Sequence, residues 1–448
     1  MDLTKGNIRN TYFKYLAAAF GSAMIASIYG LVDTAMVGQY SGPSGAAAMA
    51  VVAPVWNLVY SLGLLTGIGG SVLYSTEKGK KSGNENRFFT LAFFFTAAIS
   101  IVFWALIFFC DEQLLSLFGA DEEVMPYAVA YLAPIKCGIP LFMFSQFIAA
   151  FLRNDNDPQR ATLAVLCGGV FNIAADYIFI FILDMGPFGG GLATTLGAAI
   201  SVGVMCTHFL SKKNTLRFAM PRFLRRGLWK ITITGFPSFF VDVAMGILTM
   251  LFNRQIVKYM GNDALAVYGI IANLVTAAQS CAYSVGQSAQ PLYSVNLGAG
   301  KYDRVKQTLK YAIIASVFFC LAWTFVMEAF PNPIMNLFMD ATDSVLAIAP
   351  AIVRVYCISF LLMPFNVAAT YYFQALLKPT ASFTVSILRG MVLSGILIYV
   401  LPALFPAEAI WWAMPITELV DAILVIVLMV KYTKELGRPL RKIPADVE

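Results

Sequence analysis

Long apolar stretches separated by short polar breaks run the whole length of this chain. Twelve are long enough to cross a bilayer as helices, at roughly residues 12–36, 46–75, 88–110, 126–152, 161–183, 190–210, 231–258, 264–294, 307–330, 346–375, 382–404 and 407–430. The breaks alternate in charge. Lys78, Lys80, Lys81 and Arg87 fill one, Arg153 and Arg160 another, and Lys212, Lys213, Arg217, Arg222, Arg225, Arg226 and Lys230 a third. The series continues with Lys301, Arg304, Lys306 and Lys310, then Lys378, then a tail carrying Lys431, Lys434, Arg438, Arg441 and Lys442. The intervening breaks hold almost no lysine or arginine, apart from Arg254 and Lys258, and Asp111, Glu112, Asp121, Glu122 and Glu123 crowd one of them. Basic residues collect on cytoplasmic loops, so both termini are expected in the cytoplasm of a multi-pass plasma-membrane protein. Lys5, Arg9 and Lys14 ahead of the first apolar run imitate the start of a signal peptide. The run is too long for one and ends in Leu31-Val32-Asp33 without small residues for cleavage, so it reads as a retained span.

The stretch Tyr40–Gly79 recurs without a gap at Tyr259–Gly298. Tyr40, Gly42, Ala47, Ala53, Ser61, Gly67, Leu73, Tyr74, Ser75 and Gly79 each meet an identical residue 219 positions later. Composition alone would supply roughly three or four such matches. Each half holds an even number of spans, so the copies enter the membrane the same way round, as parallel repeats about an axis along the membrane normal. The expected architecture is therefore an all-α membrane protein of twelve helices in two six-helix lobes. Residues 1–210 form the first lobe, 211–230 a basic linker, and 231–448 the second lobe and tail. Pro158 aligns with Pro379, and Gly169 with Gly390, at a spacing of 221. At that spacing Asn172 becomes Leu393 and Asp176 becomes Leu397, while Gly191-Leu192-Ala193-Thr194 becomes Trp412-Ala413-Met414-Pro415. Duplication alone does not require that asymmetry.

Composition narrows the function classes. The chain is 59% hydrophobic and 12% charged, with a mean hydropathy of +0.73. Its net charge of +6 is spent on orienting loops, not on a nucleic-acid surface. Seven cysteines are scattered singly through apolar segments with no CxxC pair, and read as small buried hydrophobes. One histidine, His208, makes triad chemistry, zinc sites and paired haem ligation remote, and neither GxSxG nor a phosphate loop is present. An enzyme is not expected, and no repeated carbonyl filter or charge ring suggests a channel.

Polar residues inside the spans are the informative ones, because an ionisable group at mid-membrane costs about 2.5–3.5 kcal/mol or more. Asp33 lies in the outer part of span 1. Asn172 and Asp176 are i and i+4 on span 5 and face the same way, and Thr194 lies in the outer part of span 6. Two carboxylates, an amide and a hydroxyl at one depth can hold a small cation through oxygen ligands, or share a proton. The alternative is that Asp33 caps a helix end and Asp176 is hydrogen-bonded within the lobe. Asp242, deep in span 7, is a second-lobe candidate for coupling or substrate binding. Glu418 and Asp421, i and i+3 on span 12, are further candidates, or else they pair with Arg354 or Arg389 and hold the lobe together. Lys136 on span 4 is a buried cation expected either to neutralise one of the aspartates or to snorkel.

The run Tyr29-Gly-Leu-Val-Asp33-Thr-Ala-Met-Val-Gly38, followed by Phe171-Asn172-Ile-Ala-Ala-Asp176-Tyr-Ile-Phe and Gly190-Gly-Leu-Ala-Thr194, resembles the multidrug and toxic compound extrusion (MATE) family of prokaryotic type. The turn Leu152-Arg153-Asn-Asp-Asn-Asp-Pro158 is similar to that family's span 4–5 loop, and the resemblance extends over essentially the whole chain. It implies an exporter of organic, lipophilic, cationic compounds, driven by inward H⁺ or Na⁺, with no other cofactor or metal and acting as a monomer. It implies coupling residues at Asp33, Asn172, Asp176 and Thr194, and an acidic group near Asp242. Lys136 matches no motif of that family, which leaves the choice of ion open. The alternative on the same architecture is a flippase for lipid-linked precursors, which would call for a strongly cationic cavity. Here Lys136, Arg354 and Arg389 are few against the membrane carboxylates.

Overall fold

The computed structural model describes residues 3–220, 224–338 and 343–437. Arg222 of the linker and Arg438, Arg441 and Lys442 of the tail lie outside the described residues. Within them twelve helices have membrane-spanning length and composition: α1 Ile8–Gly42, α2 Ser44–Lys80, α3 Glu85–Phe109, α4 Met125–Asn154, α5 Pro158–Ile182, α6 Gly186–Leu210, α7 Leu224–Gly261, α8 Asp263–Gly298, α9 Tyr302–Ala329, α10 Asp343–Ala375, α11 Pro379–Leu404 and α12 Ala407–Glu435. Among the described residues there are no strands, and the protein is a multi-pass membrane protein. The helices outrun the apolar stretches because their ends project past the hydrocarbon region, where charged residues continue the helix. Large apolar side chains turned outward, such as Phe109 at 75% exposure on α3 and Phe318 at 66% on α9, form the surface that lipid covers.

The repeat is visible in the backbone as well as in the residues. α1 breaks into α2 at Gly42 (φ 67°, ψ −154°) and α7 into α8 at Gly261 (φ 79°, ψ −168°), equivalent positions in the two copies. Only glycine adopts that conformation without strain, which is why both copies carry it. The tight turns after α4 and α10 likewise place Asn156 (φ 65°) and Leu377 (φ 56°) in the left-handed region, 221 residues apart.

The two lobes close on one another at the end that carries Leu3 and Gly437. Residues 61–76 of α2 and 288–296 of α8 are buried without interruption. A Cβ on Gly69 would meet the Ile231 carbonyl, one on Gly235 the Leu65 carbonyl, and one on Gly79 the Val295 carbonyl. Gly79 and Gly298 are repeat partners and face each other, with a Cβ on Gly298 falling 3.2 Å from the Gly79 Cα. The pseudo-two-fold axis therefore passes through a seam that admits no side chain. At the opposite end, Ala46, Ala50, Ala53 and Asn57 of α2 and Gly269, Asn273 and Thr276 of α8 are exposed at helical spacing, so a cleft opens there between the lobes. Replacing Gly79 by valine is expected to cost about 1–3 kcal/mol or more by overpacking the seam. Gly30→Val, at a position with nothing within 4 Å of the added Cβ, is expected to be silent. Thermal unfolding of the purified variants checks this, and equal losses for both would remove the seam's role.

The segment read as a basic linker is structured at both described ends. Leu224–Lys230 is already α7, and 215–219 lies against the first lobe. Thr215 N donates to Asp155 Oδ2 at 2.8 Å, Arg217 N to Asn86 Oδ1 at 2.9 Å and Ala219 N to Thr90 Oγ1 at 2.8 Å, with Leu216 buried. The segment entering α1 is held in the mirror manner by the second lobe. Arg304 donates to the carbonyls of Leu3, Lys5 and Gly6, and Lys301 to that of Thr4 at 2.7 Å. Each lobe thus grips the strand of chain that feeds the first helix of the other.

Candidate functional site

Four helices of the first lobe bring polar groups to one buried point. Asp33 comes from α1, Tyr131 from α4, Asn172 and Asp176 from α5, and Thr194 from α6. Their exposures are 5% for Asp33, 2% for Asn172, 0% for Asp176 and 9% for Thr194, so none is bathed in solvent. Asp33 Oδ2 accepts from Tyr131 Oη and, at 3.4 Å, from Thr194 Oγ1. Asn172 Nδ2 donates to Thr194 Oγ1 at 3.2 Å and to Asp176 Oδ1 at 3.5 Å. A single chain of hydrogen bonds therefore joins the two carboxylates. The glycines of α6 allow it: a Cβ on Gly190 would sit 3.1 Å from Asp33 Oδ1 and 3.0 Å from Val37. Immediately after Asp176 the helix loosens into a π-helical stretch, Tyr177–Ile182, a departure that often marks functional positions.

Three oxygens of this cluster are buried without a donor: Asp33 Oδ1, Asn172 Oδ1 and Asp176 Oδ2. Among the described residues no cationic side chain hydrogen-bonds to or ion-pairs with it. Lys136, expected as a neutraliser of these carboxylates, is instead ion-paired with Asp111 in the break after α3. Its long stem carries the charge to the edge of the bundle and away from Asp33 and Asp176, which corrects that expectation. Two ionised carboxylates left thus would be buried and uncompensated, a costly state. The donor set is all oxygen and fits protons or a small hard cation. Tyr131 went unnoticed in the sequence, where it is one of 20 tyrosines in an apolar chain and carries no pattern of its own.

In the second lobe the candidates separate. Asp242 of α7 is half-buried; Tyr283 Oη donates to its Oδ1 at 2.6 Å, Gln279 supports Tyr283 at 2.6 Å, and its Oδ2 is buried without a donor. Glu418 is fully buried and paired: Arg389 Nε lies 2.6 Å from Oε1, and Asn366 Nδ2 donates to Oε2 at 2.7 Å. Arg354 takes no part and sits 3.8 Å from Glu328 on an exposed surface. Asp421 is also fully buried, and neither of its oxygens has a donor. A cavity of about 230 Å³ reaches Arg389 and Glu418 between Tyr268, Tyr356, Phe360 and Met363, with Asn57 of the first lobe on its rim.

A further polar cluster closes the first lobe at the end bearing the termini. His208, at 0% exposure, sets Nε2 2.9 Å from Asp155 Oδ2 and Nδ1 3.1 Å from Asp157 Oδ2. Lys78 Nζ lies 2.6 Å from Asp155 Oδ1, and Lys213 Nζ 3.2 Å from Asp157 Oδ1. Burial pushes the Asp155 carboxyl up, but the His208 hydrogen bond, the Lys78 ammonium and the Thr215 donor outweigh it and hold it down at about 2. Asp157 is also held below its usual value, burial being outweighed by His208 and Lys213. A lowered carboxyl favours the folded state above the ordinary carboxylate range, and that contribution fades as pH falls from about 4 to about 2. Asp155→Asn is expected to remove about 2 kcal/mol of acid-sensitive stability. The measurement is the unfolding temperature followed down that pH range. A variant whose acid limb matches the wild type would contradict the assignment.

With this geometry described, comparison with known proteins places the chain. The MatE family model matches residues 18–178 and 237–400, one copy in each lobe. The multidrug export protein MepA of Staphylococcus saprophyticus is 24% identical over 404 residues, covering 90% of this chain and 89% of the relative. MepA of Staphylococcus haemolyticus is 26% identical over 410 residues, with the same coverage. Among solved structures, a MOP superfamily transporter from Pyrococcus furiosus superposes with a TM-score of 0.91 at 19% identity, covering 98% of both chains. The multidrug transporter DinF-BH, solved in complex with R6G, gives 0.87 at 23% identity, covering 94% of this chain and 95% of that one.

Proposed function

Since the chain belongs to the MatE family, we propose that it exports organic, lipophilic cations from the cell in exchange for inward H⁺ or Na⁺. The observation that carries the reading is the first-lobe chain from Asp33 to Asp176, whose three orphaned buried oxygens call for a positive charge that no side chain supplies. The names of the relatives, multidrug export proteins, support the direction of transport and the class of cargo. The basic loops share an end with the termini, which argues that this end is cytoplasmic and that the cleft opens to the outside.

In this cycle the outward-open protein takes H⁺ or Na⁺ at Asp33, Asp176, Asn172 and Thr194. Neutralising the carboxylates repacks α1 against α5 and α6, and the cargo leaves the cleft. Cargo and ion act on one two-state equilibrium in opposite senses, and that opposition makes the exchange obligatory. Asp242 of α7, whose Oδ2 has no donor, offers a carboxylate to a bound cation. A flippase for lipid-linked precursors is less well supported, because the ionisable groups at the first-lobe site, Asp33 and Asp176, are acidic.

The test is efflux of a fluorescent cation from vesicles under an imposed Na⁺ gradient and, separately, an imposed pH gradient. Efflux following one gradient names the ion. Efflux following neither overturns the exchange reading.

A further inference from the structure

We propose that Asp421 is a one-proton site of the second lobe, with Arg389 setting its charge count. Asp421 and Glu418 stand one turn apart on α12 and both are at 0% exposure. Every carboxylate oxygen of Glu418 is engaged, Oε1 by Arg389 and Oε2 by Asn366, whose Nδ2 also reaches the Glu418 carbonyl at 2.9 Å. Asp421 has no donor at either oxygen. One guanidinium therefore stands against two buried carboxyl groups, and the group left over is the unpartnered one. A charged carboxylate there would have neither water nor a hydrogen bond to replace it.

A proton meets the need better than a metal ion does. It cancels the surplus charge and turns Asp421 into a donor in a cluster where Asn366 Oδ1 also lacks one. A sodium ion would share a small buried volume with the Arg389 guanidinium and be repelled by it. Among the described residues, other titratable groups in electrostatic range of the Arg389–Glu418 pair are Tyr356 of α10, Tyr283 of α8 and Cys320 of α9. These types are uncharged in neutral water and leave the count unchanged.

The repeat argues that this cluster is not structural filler. Positions 221 residues before Arg389 and Glu418 are Gly168 and Gly197, and in the first lobe those two glycines touch, the built Cβ of Gly197 lying 2.9 Å from the Gly168 carbonyl. The fold closes α5 on α6 without any charge at those positions. The second lobe has put an ion pair there, and α11 takes a π-helical turn, Leu388–Val392, where Arg389 projects. The cavity of about 230 Å³ gives the pair a route to the cleft past Asn273 and Asn57. Arg389 and Glu418 line that cavity one turn from Asp421, so a proton reaching Asp421 passes the pair from the side of the membrane to which the cleft opens.

This rests on the reading of the chain as an ion-driven exporter, but its test does not require transport. Infrared difference spectra of the full-length protein in lipid vesicles resolve the carbonyl stretch of buried carboxylic acids. The wild type at neutral pH is expected to show a band that Asp421→Asn lacks and Asp421→Glu shifts, with added sodium leaving it in place. Asp33→Asn and Asp176→Asn are expected to retain it. A spectrum unchanged by Asp421→Asn, or a band abolished by sodium at constant pH, overturns the proposal. Loss of efflux in wild-type vesicles with the band intact would instead count against the exporter reading alone.

Discussion

Asp33→Asn and Asp176→Asn should each cut gradient-driven efflux sharply while leaving the protein folded and inserted. Both carboxyl groups are buried in one hydrogen-bonded chain, and each can be neutralised by taking up a proton or holding a cation. An amide at either place is nearly the same shape and permanently neutral. It freezes the lobe in its neutralised state and removes the free-energy difference through which ion and cargo oppose each other. Couplings of this kind are worth about 1–3 kcal/mol, so efflux is expected to fall by roughly 5- to 150-fold. Thr194→Ala removes one bridging hydroxyl from the same chain and should cost less, about 1 kcal/mol. Tyr131→Phe belongs with it. Dye efflux from cells expressing matched amounts of each variant is the measurement, and full efflux in both aspartate variants would dismiss the site.

The largest loss of stability is expected from Arg389→Met. It leaves Glu418 in the second lobe with its charge buried and its strongest partner gone, a situation that costs about 3–5 kcal/mol. The pair itself need not be stabilising relative to apolar residues of similar volume, so the double variant Arg389→Met/Glu418→Leu should recover much of the loss. Thermal unfolding of the three proteins forms the cycle. Additive losses would mean that the two side chains do not act as a unit. Because Asp421 lies one turn away with no donor of its own, the single variant also tests whether that neighbour is neutral. Were Asp421 charged, removing the Arg389 guanidinium would strand two charges instead of one.

Much of the fold was legible in the residues. The apolar stretches marked all twelve helices, and the repeat predicted the matched breaks at Gly42 and Gly261 and the matched turns before Pro158 and Pro379. The grouping of Asp33, Asn172, Asp176 and Thr194 was also legible, since depth along each span and the i, i+4 spacing on α5 are one-dimensional quantities. Partner choice was not. Lys136 and Asp33 lie at comparable depth on helices of one lobe, yet Lys136 turns to Asp111, because the rotation of α4 about its axis points Tyr131 inward and Lys136 toward the break after α3. Arg389 and Arg354 were equal candidates for Glu418 until the packing of α11 on α12 selected the first. His208, set aside as a lone histidine, is the centre of the cluster that fastens Asp155 and Asp157.

By itself the sequence determined that this is a duplicated, twelve-span membrane protein with buried acids in its first lobe. Hydropathy, loop charge and repeat spacing are read along one dimension, and burial in a bilayer leaves the helix as almost the only way to satisfy the backbone. Only the tertiary structure decided which charges meet, that the lobes close through side-chain-free seams at Gly79 and Gly298, and that Asp421 is left without a partner. Those outcomes depend on how each helix is rotated and how closely it approaches its neighbours. Such distances join residues hundreds of positions apart, and no local pattern in the chain encodes them.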